Sequence, residues 1–295
     1  MKICVSCGRG FVSERWNCPS CGETPHRMEG FFAFAPALAH QSDGFAPEYF
    51  PRLVELESGH FWFEARNRVI LWALQKYLPQ AVSFLEIGCG TAFVLSSIRA
   101  KFPGMRICGS EVFIEGLPFA AARLPGVDLF QMDARSIPFD SEFDGIGAFD
   151  VIEHIEEDRL VLHEIWRALK PGGAVLITVP QHPLLWSAID EHSFHKRRYT
   201  AKELAGKLRE AGFQVLYLTS FVSLLLPFVL LSRLRRRRYT ERIAPGAALE
   251  INPVLNRLFS FVLGFERLLI ERGFVLPAGG SLFAAARRPG IEASR

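Results

Sequence analysis

Residues 84–92, FLEIGCGTA, constrain this chain more than any other stretch. Phe84, Leu85 and Ile87 form a short apolar run suited to a strand buried in a parallel sheet. Gly88 and Gly90 let the backbone turn sharply and approach a ligand where a Cβ would intrude. Thr91 is placed as a first-turn residue of a helix running through Ala92, Val94, Leu95 and Ile98. Strand, glycine turn and helix in succession make the cradle of a doubly wound α/β sheet. The details argue against a dinucleotide. The third glycine position is Phe93, and no phosphate-neutralising lysine follows. Glu86, two residues before Gly88, instead suits a ligand with positive charge, such as an amino-acid ammonium group.

The downstream pattern repeats the strand–helix alternation. Residues 106–110 read as a second strand ending at Glu111, an acid where a ribose diol would be gripped. Residues 127–130 make a third strand, followed by Asp133 and Ala134. Residues 143–151 make a fourth, leading into DVIEH (150–154). LKPGG (169–173) reads as a turn, and residues 174–179 as a fifth strand ending at Pro180. The FLEIGCG, DVIEH and LKPGG pieces resemble the class I S-adenosylmethionine (SAM) dependent methyltransferases of the type 11/12 kind. The resemblance covers residues 84 to about 218 plus a final strand near 282–286. It implies an α/β fold: a doubly wound, seven-stranded, Rossmann-like sheet over 81–220, completed by 279–290. It also implies SAM as cofactor, held by Glu86, Gly88, Cys89, Gly90, Glu111, Asp133, Ala134 and Asp150. Asp133 matches the family's adenine-amino contact, against the plainer reading of a turn or N-cap acid.

Methyl transfer needs a base only where the acceptor must lose a proton. His154 is the candidate, since histidine titrates near neutrality; capping of the next helix is the alternative. Asp150, Glu153 and His154 are also read as a divalent-metal set, a pattern seen in some quinone O-methyltransferases. Residues 186–199, WSAIDEHSFHKRRY, are expected to form a loop at the ligand rim. With Arg66, the residues His192, His195, Arg197, Arg198 and Tyr199 are the expected acceptor contacts. Paired arginines suit a phosphate or carboxylate, and a solvated charge run is the competing reading. Arg66 follows His60-Phe-Trp-Phe63 in a helical pattern over 47–78, which reads as a lid over the cofactor with Arg66 reaching its carboxylate, or as an aromatic core face. Similar stretches precede the first motif in bacterial methyltransferases.

Four of the six cysteines, Cys4, Cys7, Cys18 and Cys21, form two Cys-x-x-Cys knuckles. Two such knuckles close a tetrahedral Cys₄ site, so residues 1–30 are expected to be a zinc ribbon, with iron as the minor option. Cys89 and Cys108 read as inert core thiols. Residues 31–80 are expected to be linker and cap helices. The last two strands, 213–219 and 281–287, are separated by an insertion over 221–278, with apolar stretches at 221–232 and 255–270 around the arginine run at 233–238. Neither stretch is a credible membrane span. The insertion reads as an interfacial platform through 221–272 or as a cap on the core. A net charge of +3 does not by itself mark a nucleic-acid partner. No signal peptide is apparent, so a cytoplasmic location is expected, peripheral to the membrane if the platform reading holds. The expected function is methylation of an oxygen or carbon nucleophile on a small, glycan- or lipid-linked acceptor. Two rivals are a ribosomal RNA methyltransferase that reads RNA through its ribbon, and a non-catalytic SAM-binding regulator.

Overall fold

The glycine-turn strand lies near the middle of a nine-stranded sheet. The structure, a computed structural model, describes residues 1–40, 49–236 and 251–290, and side chains outside 232–236. The expected helix start at Pro47 and the side chains of the 233–238 arginine run lie outside that description.

In chain order, β1 (Lys2–Ile3) and β2 (Gly10–Phe11) form a small antiparallel pair, and β3 (His26–Met28) and β4 (Phe31–Ala33) a hairpin. Helices α1 (Tyr49–Glu57) and α2 (Phe61–Tyr77) precede β5 (Ser83–Ile87), α3 (Phe93–Lys101), β6 (Arg106–Glu111), α4 (Leu117–Arg123) and β7 (Asp128–Gln131). The second half runs β8 (Phe143–Phe149), α5 (Asp158–Ala168), β9 (Leu169–Pro180), α6 (Ala188–His192), α7 (Ala201–Glu210) and β10 (Gln214–Phe221). It ends with α8 (Leu226–Arg236), α9 (Pro253–Glu271) and β11 (Ser281–Arg287).

The main sheet has the order β10-β11-β9-β8-β5-β6-β7-β4-β3. The strands from β9 to β4 are parallel, and β11 enters antiparallel between β9 and β10. Strand order reverses between β5 and β8, the switch point where ligands bind in doubly wound sheets. The seven expected strands are present, and β3 and β4 extend the edge beyond them. That edge comes from a segment expected to be ribbon and linker. Phe32 and Ala33 pair with Phe130 and Gln131, so an aromatic stretch too short to show alternation becomes sheet.

All five residues of β5 are buried, as a strand covered on both faces requires. Phe84 packs with Val69, Ile70 and Leu74 on one face, while Leu85 and Ile87 join Val161, Leu162 and Ile165 on the other. Three local expectations are corrected. α3 starts at Phe93, capped by Ala92 in a left-handed conformation, so Thr91 and Ala92 precede the helix rather than form its first turn. LKPGG is the bulged start of β9 rather than a separate turn, because Leu169 pairs with Phe143 while Ala174 already pairs with Gly145. The rim segment 186–199 contains the short helix α6, opened by a capping box between Ser187 and Asp190. The insertion supplies α8 and α9. Asn256 of α9 accepts from the Phe61 N–H and donates to the Gly59 carbonyl, both at 2.8 Å, so α9 clamps the start of α2. Among the described residues, no helix is long and apolar enough to cross a membrane.

Candidate functional site

A cavity of about 630 Å³ opens over the carboxyl ends of β5, β6, β7 and β8. Its floor is the turn from Ile87 to Thr91, with Glu86 beneath it. Both turn glycines adopt positive φ, at 62° for Gly88 and 52° for Gly90. Glu86 is buried and its Oε2 has no hydrogen-bond partner. Burial pushes its pKa up to about 8, against the opposing pull of Arg66.

Glu111 stands at the tip of β6. One carboxylate oxygen accepts from the Gly90 N–H at 3.0 Å, and the other from Val112 and Phe113 at 2.9 and 3.3 Å. Burial raises its pKa despite those three donors. Asp133 accepts from the Arg135 N–H at 2.9 Å and from its guanidinium at 3.0 Å, so it does form a turn; with Ala134 it also lines the cavity. Cys89 lines the cavity too, and burial holds its thiol well above the usual range.

Asp150 adopts φ 58° at the end of β8 and pairs with Arg66, with Thr178 donating to the same oxygen at 3.1 Å. The Arg66 guanidinium lies 4.5 Å from the Trp62 ring centre. The aromatic stretch 60–63 therefore serves the cavity wall and the core together: Trp62 and Phe63 line the cavity, while Phe61 packs on Phe259 of α9. His154, His192 and His195 line the far end, and the rings of His154 and His195 meet edge-on at 4.8 Å.

The rim residues divide. His192 and His195 face the cavity, but Arg197, Arg198 and Tyr199 lie behind its wall. Arg198 is buried, with Nε 2.7 Å from Asp190 Oδ1. Burial works to raise the Asp190 pKa, but His195 and Arg198 outweigh it and hold the carboxyl down to about 2. Tyr199 is fully buried and donates to Asp158 at 2.6 Å, and Arg197 lies 3.0 Å from the same carboxylate. Glu153 is fully buried, and burial with Asp150 nearby raises its pKa well above the carboxylate range.

Residues 55–218, more than half of the chain, match the methyltransferase domain family. The chain belongs to that family. A probable S-adenosylmethionine-dependent methyltransferase of Mycolicibacterium smegmatis is 28% identical over 163 residues, covering 54% of this chain and 62% of the relative. A demethylmenaquinone methyltransferase of Chlorobaculum tepidum is 30% identical over 100 residues, covering 34% and 41%. The chain thus spans less than two thirds of the length of these relatives. The solved structure of the [4+2]-cyclase SpnF shares the fold, with a TM-score of 0.52 at 24% identity, over 78% of this chain and 84% of that one.

Within the methyltransferase domain, one group that lines the cavity escaped the sequence reading. Glu57 of α1 accepts from the Thr91 hydroxyl at 2.7 Å and from Arg123 at 2.9 Å, tying the cap helix to the glycine turn. No short motif announces it, since these partners lie 34 and 66 residues away. The ribbon cysteines come together as expected. Cys4 and Cys21 sulfurs are 3.6 Å apart, and those of Cys7 and Cys18 are 3.8 Å apart. All six cysteines are free thiols. A zinc ion with Zn–S bonds of about 2.3 Å sets its sulfurs about 3.8 Å apart, so the donor set fits the ion.

Proposed function

We propose that the protein is a SAM-dependent methyltransferase acting on an oxygen or carbon nucleophile of a small, glycan- or lipid-linked acceptor at a membrane surface. The observation that carries this reading is Glu86. A buried carboxylate oxygen with no partner, facing a cavity beside a glycine turn, calls for a cation. SAM, when bound, supplies an electrophilic methyl group on a positively charged sulfur. Glu86 then holds the ammonium group, and Arg66, braced by Asp150, holds the carboxylate. Glu111 keeps one lone-pair site, on Oε2, for a ribose hydroxyl beyond its three backbone bonds, and Asp133 offers an oxygen to the adenine amino group. Gly88, Cys89, Gly90 and Ala134 shape the wall. His154 is the base where the acceptor must lose a proton, and His192 and His195 contact that acceptor. Collinear, dry positioning of nucleophile and methyl group is the chain's main contribution.

The M. smegmatis and C. tepidum relatives support this cofactor and a small-molecule acceptor. The membrane part rests on the insertion. Phe228, Leu230 and Leu231 of α8 and Leu258, Phe261 and Phe265 of α9 are exposed, Phe261 by 78%. Single exposed apolar residues are ordinary, but two adjoining helices carrying them form a patch suited to an interface. Zinc is assigned to Cys4, Cys7, Cys18 and Cys21 as a structural ion, and the location to the cytoplasmic side of the membrane.

The test uses SAM labelled in its methyl group, mixed with the protein and whole-cell extract, then solvent partition and nuclease treatment. Label in the organic or glycolipid fraction is expected. Nuclease-sensitive label would assign the enzyme to RNA instead, and bound SAM with no label transferred would mark a regulator. Failure to bind anionic liposomes would remove the membrane part.

Glu86 gives a second prediction. With its pKa at about 8, it is mostly protonated at pH 7 before a cation arrives. A bound ammonium favours the carboxylate, so SAM binding releases a proton, and affinity falls as pH drops below about 8, by up to about tenfold per unit. Calorimetry at pH 7 in two buffers of different ionisation enthalpy measures this directly. Absence of proton release would separate Glu86 from the ammonium.

A further inference from the structure

Behind the acceptor end of the cavity, Glu153, His154 and His195 place three metal-ligating atoms within 4.8 Å of one another. Glu153 is fully buried, and neither of its carboxylate oxygens has a hydrogen-bond partner. A buried carboxylate with both oxygens unsatisfied is costly, and a cation is the partner that two neighbouring imidazoles would share with it. We propose that Glu153, His154 and His195 form a divalent-metal site on the acceptor side of the cavity, distinct from the cysteine site.

Three features support that assignment. First, His195 is held from behind: its Nδ1 lies 2.9 Å from Asp190 Oδ1, and Asp190 is itself buried against Arg198. A carboxylate on one ring nitrogen orients a histidine so that the other can bind metal, the usual outer-shell arrangement. Second, the two halves of the site are pinned together, since the Lys196 N–H donates to the Glu153 carbonyl at 2.7 Å. His195 thus reaches His154 across the fold by a backbone tie. Third, Asp150 of the Asp150–Glu153–His154 set read from sequence falls outside this cluster, and its Oδ2 is engaged by Arg66 and Thr178. The structure puts His195 in its place. Metal bonds of about 2.0–2.2 Å require donors as far apart as 4.8 Å to close by about 1.5 Å, within the reach of side-chain rotation.

Two imidazoles and a carboxylate suit manganese, iron or zinc and leave coordination positions open. His154 and His195 both line the cavity, so an open position would take an acceptor through an oxygen lone pair. Metal binding stands on these residues alone; its use in holding an acceptor rests on the methyltransferase reading above, and with the ion bound His154 serves as a ligand in place of the base role given it there.

The probe is Mn²⁺, a hard ion that four thiolates do not favour, added to full-length protein whose zinc content has been measured. Electron paramagnetic resonance of free Mn²⁺ reports binding without SAM or acceptor, so loss of the methyltransferase reading would leave this result intact. One Mn²⁺ per chain is expected beyond any zinc. Glu153→Gln and His195→Ala should each weaken it at least tenfold, and Asp190→Asn by about 10–100-fold through its hold on His195. Unchanged melting temperature and zinc content in Glu153→Gln would show that the fold survives. Absence of Mn²⁺ binding in the wild type would overturn the site, as would equal affinity in Glu153→Gln.

Discussion

Gly88→Ala is expected to unmake the cofactor cavity and to lower stability by about 2–5 kcal/mol. Two costs add. The backbone at Gly88 has φ 62°, a left-handed conformation that costs a residue with a Cβ about 1–2 kcal/mol. A Cβ there would also lie 2.6 Å from Val151 Cγ2, closer than side chains approach, and overpacking of that kind costs about 1–3 kcal/mol. Val151 cannot yield quietly. It sits between Asp150, which braces Arg66, and the 3₁₀ turn Ile152–His154, so its displacement moves both ends of the cavity. Gly90 is the control. Its φ is 52°, but the nearest atom to an added Cβ is 3.9 Å away, on Phe50, so Gly90→Ala carries the backbone strain without the clash. Thermal melts and SAM titrations of the two variants should separate, with Gly88→Ala melting well below Gly90→Ala and binding no measurable SAM. Equal melting temperatures would show that Val151 does not buttress the turn.

That pair of glycines also shows what the sequence could disclose. Strand, turn and helix from 83 to 101 are fixed by local rules, an apolar run and two glycines one residue apart, and local rules are readable in order along the chain. Glu111 was equally legible because a strand end at a switch point is a position, whatever surrounds it. The rim was different. Arg197, Arg198 and Tyr199 read as groups facing a ligand, since a charge run beside an aromatic residue belongs at a surface. In the structure, Asp158 and Asp190 neutralise that run from the helices α5 and α6 and draw it inward. Asp190 is only eight residues from Arg198, but a short window does not show that the pair is buried; Asp158 lies 41 residues from Tyr199, and no short window contains both. The link between Arg66 and Asp150 spans 84 residues and was hidden for the same reason. His192, at the end of α6, and His195, held by Asp190 of that helix, both line the cavity wall.

Removal of the zinc proposed for Cys4, Cys7, Cys18 and Cys21 is expected to weaken SAM binding, although the cysteines lie outside the cofactor cavity. The ribbon is built into the sheet rather than tethered to it. Trp16, between the knuckles, packs with ring centres 4.5 Å from Phe34, 5.4 Å from Phe139 and 5.9 Å from Phe130. Phe130 belongs to β7, and its neighbour Gln131 bonds the Ala35 backbone at both ends and the Val112 carbonyl at 2.8 Å. Val112 follows Glu111 directly. The Ala39 carbonyl accepts from Ile114 at 3.1 Å, and Leu38 lines the cavity itself. A module as small as β1 and β2 has little core of its own, so the proposed metal would supply most of its folding free energy. Losing the ion should therefore release Trp16 and loosen β3 and β4 at the sheet edge, which support the backbone around Glu111. Trp16→Ala tests the path with the metal still bound and should cost about 3–5 kcal/mol, the range for deleting a large buried aromatic. The experiment measures zinc content first, then melting temperature and SAM affinity before and after chelation, with Cys18→Ser as the genetic equivalent. A fall in both for chelated protein, Cys18→Ser and Trp16→Ala would make the ribbon a brace for the cofactor site. Zinc-depleted protein that melts and binds SAM like the wild type would instead make it an independent module, free to serve a partner.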